Sequence, residues 1–372
     1  MCTRQCVGTA LALFLATLAW APAALPAPLD VQVSELGVID PEFDSLAARF
    51  TWVDTFGSVW IGHVDPATGD FVPRSGQSVL VDTGAVPLGA VVNGPEWVYS
   101  ASGPQIVFTK YDQARRRAIA RARAGAEGWR SEVLQGGSNR FQPIGSLDRS
   151  DPQPRIAYTG PQQQVLWRQL DDPASETVVP DADPGIRWVP GRRAMTYSAV
   201  VDGGRQAFLY DIDTQVREQL TFDAGAKKAV YLWQAPEYNS EYLLFALVDQ
   251  SSIGVYRKLG EAWSRIATLK PPAVGNYLFS PEVFVYGGKS YIFMATSTSR
   301  DQASKTVPTD IWLAGIEPAA PFYRQLSDAT PRVRKDPEFF LTAQGPVVFY
   351  LAYLDPETTA IFRCNAGLGV LR

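Results

Sequence analysis

The chain has 372 residues, a formal net charge of −4, 46% hydrophobic residues and only 19% charged residues. This composition supplies enough apolar side chains for a large packed core, and it excludes an intrinsically disordered chain. The slight acidity also argues against nucleic acid as a partner, because nucleic-acid-binding proteins carry clusters of basic residues. The length alone fits either one large all-β domain or two average ones.

Residues 1–23 are typical of a secretory signal peptide. Arg4 precedes an apolar run over residues 7–20, and Ala21-Pro22-Ala23 follows as a small-residue cleavage site. An uncleaved membrane anchor is the alternative, although the run is shorter than the ~20 residues that a membrane span requires. Cleavage removes Arg4, so the net charge changes from −4 to −5, and Cys364 remains as the only cysteine. We therefore expect a secreted or periplasmic protein with no intrachain disulfide and no transmembrane segment.

Seven β-rich segments of similar length can be aligned with one another along the chain. Their predicted second strands are ARFTWV (48–53), QIVFTK (105–110), RIAYTG (155–160), AMTYSAV (194–200), YLLFALV (242–248), YIFMAT (291–296) and VVFYLA (347–352). Their predicted third strands are VWIGHVD, AIARARA, VLWRQLD, AFLYDID, GVYRKLG, DIWLAGI and AIFRCNA. Repeated units of about 50 residues with several short strands are typical of β-propeller blades.

A first strand is predicted before each of these pairs, and five of the seven carry a Pro-Glu pair near their start. The five glutamates are Glu42, Glu96, Glu237, Glu282 and Glu338. No sustained helical spacing of apolar residues occurs outside the signal peptide. The sequence thus predicts an all-β protein, with a single seven-bladed β-propeller over residues 29–372 and six blades as the alternative.

The two ends of the predicted propeller share the four-residue sequence DPEF, at residues 40–43 and 336–339. The seventh unit lacks a clear fourth strand, and residues 30–36 (DVQVSEL) alternate polar and apolar side chains as a strand does. We predict that this N-terminal strand pairs into the last blade and closes the ring, because an unpaired blade edge is unfavourable. The two DPEF strands then become neighbours in space.

The segment Arg205–Val248 resembles the repeat of TolB-type, WD40-like propellers. It contains YDIDT (210–214) and QLT (219–221), which match the family's Y-D-x-D-T turn and Q-L-T ending, while APEY (235–238) replaces its sPDG hairpin. The resemblance is good over blades four and five and partial elsewhere, and it implies a propeller with a binding role. A weaker likeness connects SPEVFVYGGKSYIFMAT (280–296) to five-bladed glycosidases, which use three acidic residues on inner strands.

The inner strands of a propeller line a central channel, so the five glutamates are predicted to surround the mouth of that channel. Glu282, Glu338 and Asp336 are the candidate catalytic residues, with a glutamate as proton donor and the aspartate as base. Further candidates for the funnel are Glu42, Glu96, Glu237 and Lys335. Several carboxylates also suit a hard cation, and calcium is the candidate metal. The structural alternative is that the glutamates point to water or pair with neighbouring basic residues.

Other reactive residues give weaker signals. His63, the only histidine, lies in a predicted third strand away from the channel, so a Ser-His-Asp triad is not expected and histidine-based zinc sites are excluded. Cys364 is expected to be a small core residue. The run ARRRAIARARAG (114–125) places Arg121 and Arg123 on one face of a strand, which predicts an exposed blade surface or a patch for an acidic partner.

Two functions therefore stay open at this point. The first is a monomeric binding protein that holds a small molecule, glycan or peptide in its funnel, or that binds a protein partner. The second is a carboxylate-dependent enzyme, such as a glycan hydrolase, a lyase or a cyclase of a small metabolite. The lack of any compact catalytic motif in the sequence favours the binding protein.

Overall fold

The computed structural model describes residues 29–44, 47–72, 78–86, 93–317 and 322–371, and within them seven antiparallel β-sheets form a ring. The first strand of each sheet contacts the first strand of the next sheet, and the last sheet contacts the first in the same way. The predicted seven-bladed β-propeller is therefore confirmed, and the six-bladed alternative is wrong. The predicted signal peptide lies outside the described residues.

The first four blades follow strand β1 (Val31–Gln32) in the chain. Blade one contains β2 (Val38–Asp44), β3 (Arg49–Asp54), β4 (Val59–Val64) and β5 (Phe71–Val72), and β6 (Val79–Asp82) also pairs with β4. Blade two contains β7 (Glu96–Val98), β8 (Gln105–Tyr111), β9 (Arg117–Gly125) and β10 (Gly128–Val133). Blade three contains β11 (Phe141–Gly145), β12 (Arg155–Thr159), β13 (Val165–Gln169) and β14 (Thr177–Val178). Blade four contains β15 (Arg187–Trp188), β16 (Ala194–Val201), β17 (Gly204–Asp211) and β18 (Arg217–Gln219).

The last three blades complete the ring. Blade five contains β19 (Lys227–Ala235), β20 (Glu241–Val248), β21 (Ser252–Leu259) and β22 (Ala262–Leu269). Blade six contains β23 (Tyr277–Tyr286), β24 (Lys289–Ser297), β25 (Thr309–Gly315) and β26 (Tyr323–Gln325). Blade seven contains β27 (Val333–Thr342), β28 (Gly345–Asp355) and β29 (Thr358–Asn365), together with β1. The helical segments of the described residues are two short 3₁₀ helices, Pro173–Ser175 and Pro236–Tyr238, and neither could cross a membrane.

The core lies between neighbouring blades, and it explains why the second strands are so apolar. Phe245, Phe293 and Phe349 occupy equivalent places on β20, β24 and β28, and each is fully buried. Each second strand has a sheet against both of its faces, so side chains of both orientations must be apolar. The second strands therefore form continuous apolar runs, without the polar alternation of a strand that has one face in water.

The ring is closed by the N-terminal strand, as the sequence predicts. In blade seven, Val31 of β1 lies opposite Arg363 of β29, and Gln32 lies opposite Phe362. The N–H of Val33 continues the pairing by donating to the carbonyl of Ile361 at 2.9 Å. The first and last blades are therefore joined by main-chain hydrogen bonds between the two ends of the chain.

A buried ion pair between Asp30 and Arg334 anchors the closing strand, and we call it the closure ion pair. The Asp30 Oδ2 atom accepts hydrogen bonds from Arg334 Nε at 2.9 Å and from Nη2 at 2.6 Å, and both side chains are fully buried. The other donors of Arg334 are used by Asp328 Oδ1 at 2.9 Å and by the carbonyl of Thr309 at 2.7 Å. A guanidinium with this many partners is well compensated for its loss of water.

Removing the carboxylate of the closure ion pair is expected to destabilise the whole ring. Asp30→Ala leaves the buried charge of Arg334 short of its main partner, and such losses cost about 3–5 kcal/mol of unfolding free energy. Urea unfolding followed by tryptophan fluorescence measures the change. Lys289→Met is the control, because it breaks an exposed ion pair with Glu317 and is expected to change stability little. Equal effects of the two substitutions would show that closure does not depend on Asp30.

Candidate functional site

Five of the seven inner strands contain a β-bulge at the same place, and the bulge sets the geometry of the site. Within each bulge one residue has a positive φ: Asp40 (50°), Gln142 (56°), Ala229 (43°), Ser280 (41°) and Asp336 (50°). In four of the five, proline follows, and proline suits a bulge because it has no N–H to leave unpaired. A bulge re-aims the side chains beside it. Most of the Pro-Glu pairs therefore mark these bulges.

One residue of each inner strand lies opposite the equivalent residue of the second strand, and we call these seven residues the channel ring. They are Glu42 (opposite Thr51), Glu96 (Val107), Ile144 (Ala157), Arg187 (Thr196), Tyr231 (Phe245), Glu282 (Phe293) and Glu338 (Phe349). All seven are half-buried. The charges of Glu96 in blade two and Glu282 in blade six interact, so the channel ring faces the centre of the propeller.

The channel ring is divided into an acidic arc and a second arc without acidic residues. The glutamates come from blades six, seven, one and two, which are consecutive around the ring. Ile144, Arg187 and Tyr231 come from the other three blades. Arg187 Nε donates to the Tyr231 hydroxyl at 2.6 Å, and that hydroxyl donates to Glu282 Oε1 at 2.7 Å. The only guanidinium of the ring thus joins the acidic arc at Glu282.

Burial and mutual repulsion keep protons on the acidic arc. Burial, followed by the charges of neighbouring carboxylates, raises the pKa of Glu42 and of Glu338 well above the ordinary value. Burial raises the pKa of Glu96 to about 8, against the lowering effect of Arg187. Burial also raises the pKa of Glu282, which Arg187 and the Tyr231 hydroxyl partly oppose. At neutral pH the arc therefore retains protons that a solvent-exposed glutamate would have lost.

Asp40 and Asp336, which we call the aspartate pair, lie side by side across the seam between blades one and seven. Burial, then the charge of Asp336 and a hydrogen bond between the two side chains, raises the pKa of Asp40 well above its ordinary value. The N–H of Gly94 donates to Asp40 Oδ2. A side chain at position 94 would collide with this carboxyl group, since a Cβ there would lie 2.6 Å from Asp40 Oδ2. The repeated DPEF sequence thus places two equivalent carboxyl groups next to each other at the seam between blades one and seven.

The aspartate pair opens into a pocket of about 530 Å³ that spans blades six, seven and one. We call it the mouth pocket, and its volume is typical of sites for small ligands. Its polar lining includes Asp40, Asp336, Lys335, Asp301, Lys305 and Ser297, and its apolar lining includes Phe279, Leu351, Tyr353 and Val307. The pocket is lined by the N-terminal parts of the inner strands β2, β23 and β27 and by the loop between β24 and β25. It therefore lies at one face of the propeller.

The structure brings most of the predicted site residues together. Glu42, Glu96, Glu282 and Glu338 belong to the channel ring, and Asp336 and Lys335 line the mouth pocket. Arg187 and Tyr231 were not predicted from the sequence, because neither belongs to a Pro-Glu pair. A signal for them does exist, since each precedes a clear second strand at the place where a first strand must lie.

The placement of Glu237 at the channel is wrong. Pro236–Tyr238 forms a 3₁₀ helix after inner strand β19, and Tyr231 takes the channel position in this blade. The Glu237 carboxylate accepts hydrogen bonds from the N–H of Ser290 at 2.7 Å and from its hydroxyl at 3.0 Å. Glu237 therefore lies at the opposite face of the ring and links blade five to blade six.

The residues judged unreactive from the sequence occupy structural positions. His63 is exposed on the third strand β4, away from the channel, and Cys364 is 1% exposed in the core. Arg121 is 9% exposed and pairs with Glu132 at 2.7 Å, whereas Arg123 is exposed. The expectation of an exposed arginine face therefore holds for Arg123 and fails for Arg121.

The described residues contain no group of three or more histidine, cysteine, aspartate or glutamate side chains arranged to hold a metal ion. The carboxyl groups of the acidic arc come from separate blades, so they surround the channel without converging on one point. Calcium binding at this site stays a prediction.

No protein-family model and no curated protein matches this chain. Among solved structures, the β-propeller domain of Cps50 (Swd1) from Myceliophteria thermophila is 12% identical, with a TM-score of 0.53, over 88% of this chain and 96% of that one. TolB from Acinetobacter baumannii is 14% identical, with a TM-score of 0.40, over 87% of this chain and 80% of that one. Identities this low concern the fold alone, and at that level the match to the Cps50 (Swd1) domain confirms the predicted WD40-like β-propeller.

The raised pKa of Glu96 predicts a stability that falls as pH rises. The unfolded chain loses this proton near the ordinary value of 4.5, whereas the folded chain keeps it up to about pH 8. The stabilisation that the proton provides is complete below pH 4.5 and is lost as pH rises through 8. Glu96→Gln removes the titration and keeps the shape, so its melting temperature should gain ~2 °C or more over wild type between pH 5 and pH 9.

Differential scanning calorimetry of both proteins at several pH values measures this change. Glu261→Gln, in an exposed turn between β21 and β22, is the control and should follow wild type at every pH. A constant difference between Glu96→Gln and wild type across the pH range would contradict the raised pKa.

Proposed function

We propose that this protein is an exported binding protein whose mouth pocket and acidic arc hold a small, positively charged ligand. The observation that carries the proposal is the excess of acidic groups around the channel and in the mouth pocket. The acidic arc, the aspartate pair and Asp301 supply seven carboxyl groups, whereas the channel ring and the mouth pocket supply three basic side chains outside the closure ion pair, namely Arg187, Lys335 and Lys305. The signal-like sequence of residues 1–23 supports export.

The raised pKa values also support a cationic ligand. Half-buried carboxyl groups lack water to stabilise their charge, and their neighbours repel them. A bound cation supplies the missing opposite charge, so binding ionises groups that were protonated in the free protein. The ring fold supports such a role, because propellers present a preformed site at the channel while function is set by the residues placed there.

Binding of a cation should therefore strengthen as pH rises and should release protons. The probes are 3-methylbutylamine, agmatine and calcium, and isothermal titration calorimetry measures the affinity for each. We expect the affinity for any probe that binds to increase between pH 5 and pH 9. Both amines keep their positive charge over this range, so the trend reports the protein. Calorimetry in buffers of different ionisation enthalpy counts the released protons.

Glu338→Gln tests the same proposal at one residue. Loss of a charge-assisted interaction of about 1.5 kcal/mol corresponds to a tenfold weaker affinity, and the pH trend should flatten. Glu261→Gln serves again as the control and should bind as wild type does. If none of the three cations binds, or if Glu338→Gln binds them unchanged, the acidic arc is not the binding site.

A carboxylate-dependent enzyme is the second candidate, and the aspartate pair is the observation that favours it. Glu338 would donate a proton, which its raised pKa allows it to hold at neutral pH, and Asp336 would act as the base. Glu282 suits the donor role less well, because it accepts the hydrogen bond of Tyr231 beside Arg187. Turnover of nitrophenyl glycosides that falls by ~10² or more in Glu338→Gln would favour the enzyme.

A further inference from the structure

The mouth pocket contains basic groups as well as the aspartate pair. Lys335 lies next to Asp336 on β27, yet its Nζ donates to the backbone carbonyl of Gln302 at 2.8 Å and to no carboxylate of the described residues. Lys305, on the loop between β24 and β25, lines the same pocket, and its Nζ donates to the carbonyl of Pro356 at 3.0 Å and lies 3.9 Å from Glu357 Oε1. The pocket thus combines three carboxyl groups, those of Asp40, Asp336 and Asp301, with two ammonium groups.

The two ammonium groups lie close to the same aromatic ring. Lys335 Nζ is 5.3 Å from the centroid of the Tyr353 ring, and Lys305 Nζ is 5.7 Å from it. Burial lowers the pKa of Lys335; the charges of Asp301 and Asp336 oppose this effect, and the charge of Lys305 adds to it. Ammonium groups that share one ring repel each other, so an anionic group held between them would be stabilised.

The mouth pocket also has an apolar wall. Phe279 and Leu351 are each 6% exposed, and Val307 lies beside them on the loop between β24 and β25. A ligand with charges alone would leave this surface in contact with water. An apolar side chain of the ligand would cover it, and removing apolar surface from water favours binding.

We propose that the mouth pocket binds a zwitterion with an apolar side chain, namely an apolar α-amino acid or a short peptide of such residues. The ligand's ammonium group is held by Asp40 and Asp336, its carboxylate by Lys335 and Lys305, and its side chain by Phe279 and Leu351. This inference rests on the proposed cation-binding function and adds to it a second charge and an apolar contact.

Other ligands of similar size fit the pocket less completely. A simple amine satisfies the aspartate pair and leaves Lys335 without an anion. A neutral sugar offers hydroxyl groups to every charged side chain but covers the apolar wall poorly. Only a ligand with both charges and an apolar part matches all three groups of residues.

The test compares leucine and leucyl-leucine with two analogues that each keep one charge. These analogues are 3-methylbutylamine, which lacks the carboxylate of leucine, and 4-methylpentanoate, which lacks its ammonium group. Isothermal titration calorimetry at pH 7.5 with the mature protein gives each affinity. We expect at least one zwitterion to bind tenfold or more tightly than both analogues.

Two substitutions assign the charges of the ligand to the protein. Lys335→Met should weaken zwitterion binding about tenfold and leave or raise the affinity for 3-methylbutylamine, because it removes a positive charge that repels the amine. Asp336→Asn should weaken both. Lys289→Met, at the opposite face, is the matched control and should change neither. Circular dichroism and melting curves establish that each variant is folded.

The outcomes separate this inference from the proposed function. If 3-methylbutylamine binds as tightly as the zwitterions, or if Lys335→Met weakens both kinds of probe equally, the zwitterion inference is wrong and cation binding stands. If no zwitterion, amine or calcium ion binds, the proposed function fails as well. Selective loss of zwitterion binding in Lys335→Met supports the inference.

Discussion

The closure ion pair of Asp30 and Arg334 is the interaction on which the rest of the structure depends. A propeller has one seam, between its first and last blades, and here the seam is closed by a strand of two residues. So short a strand supplies few main-chain hydrogen bonds, and a fully buried ion pair supplements them. Residues 304 positions apart in sequence are thereby held together, at a cost in chain entropy that the packed core offsets.

The candidate site lies across this same seam. Asp40 belongs to blade one and Asp336 to blade seven, so the aspartate pair exists only in the closed ring. The acidic arc is likewise centred on the seam, since its glutamates come from two blades on either side. The contact that completes the fold and the groups that form the site are therefore inseparable.

Most of the fold could be predicted from the sequence, because each second strand is buried on both faces and forms a continuous apolar run. Closure was also predictable, since residues 30–36 alternate and the last unit lacks a strand. The site was harder. Pro-Glu occurs at bulges in inner strands, but in blade five it begins a 3₁₀ helix followed by Asn239 and Ser240, which both adopt positive φ. The hydrogen-bond register identifies Tyr231 and Arg187 as the matching residues.

The acidic arc lowers the stability of the folded ring, although it favours the binding of a cation. Half-buried carboxyl groups that repel one another lower the stability of the folded ring as pH rises, and their replacement by amides would remove this cost. The closure ion pair and the packed core offset this loss of stability. They do so without the channel residues, so the channel ring can remain acidic. A cation bound between blades one and seven would neutralise the repulsion and join both sides of the seam. Ligand binding and ring closure would then stabilise each other, as linkage requires when a ligand binds only the closed form.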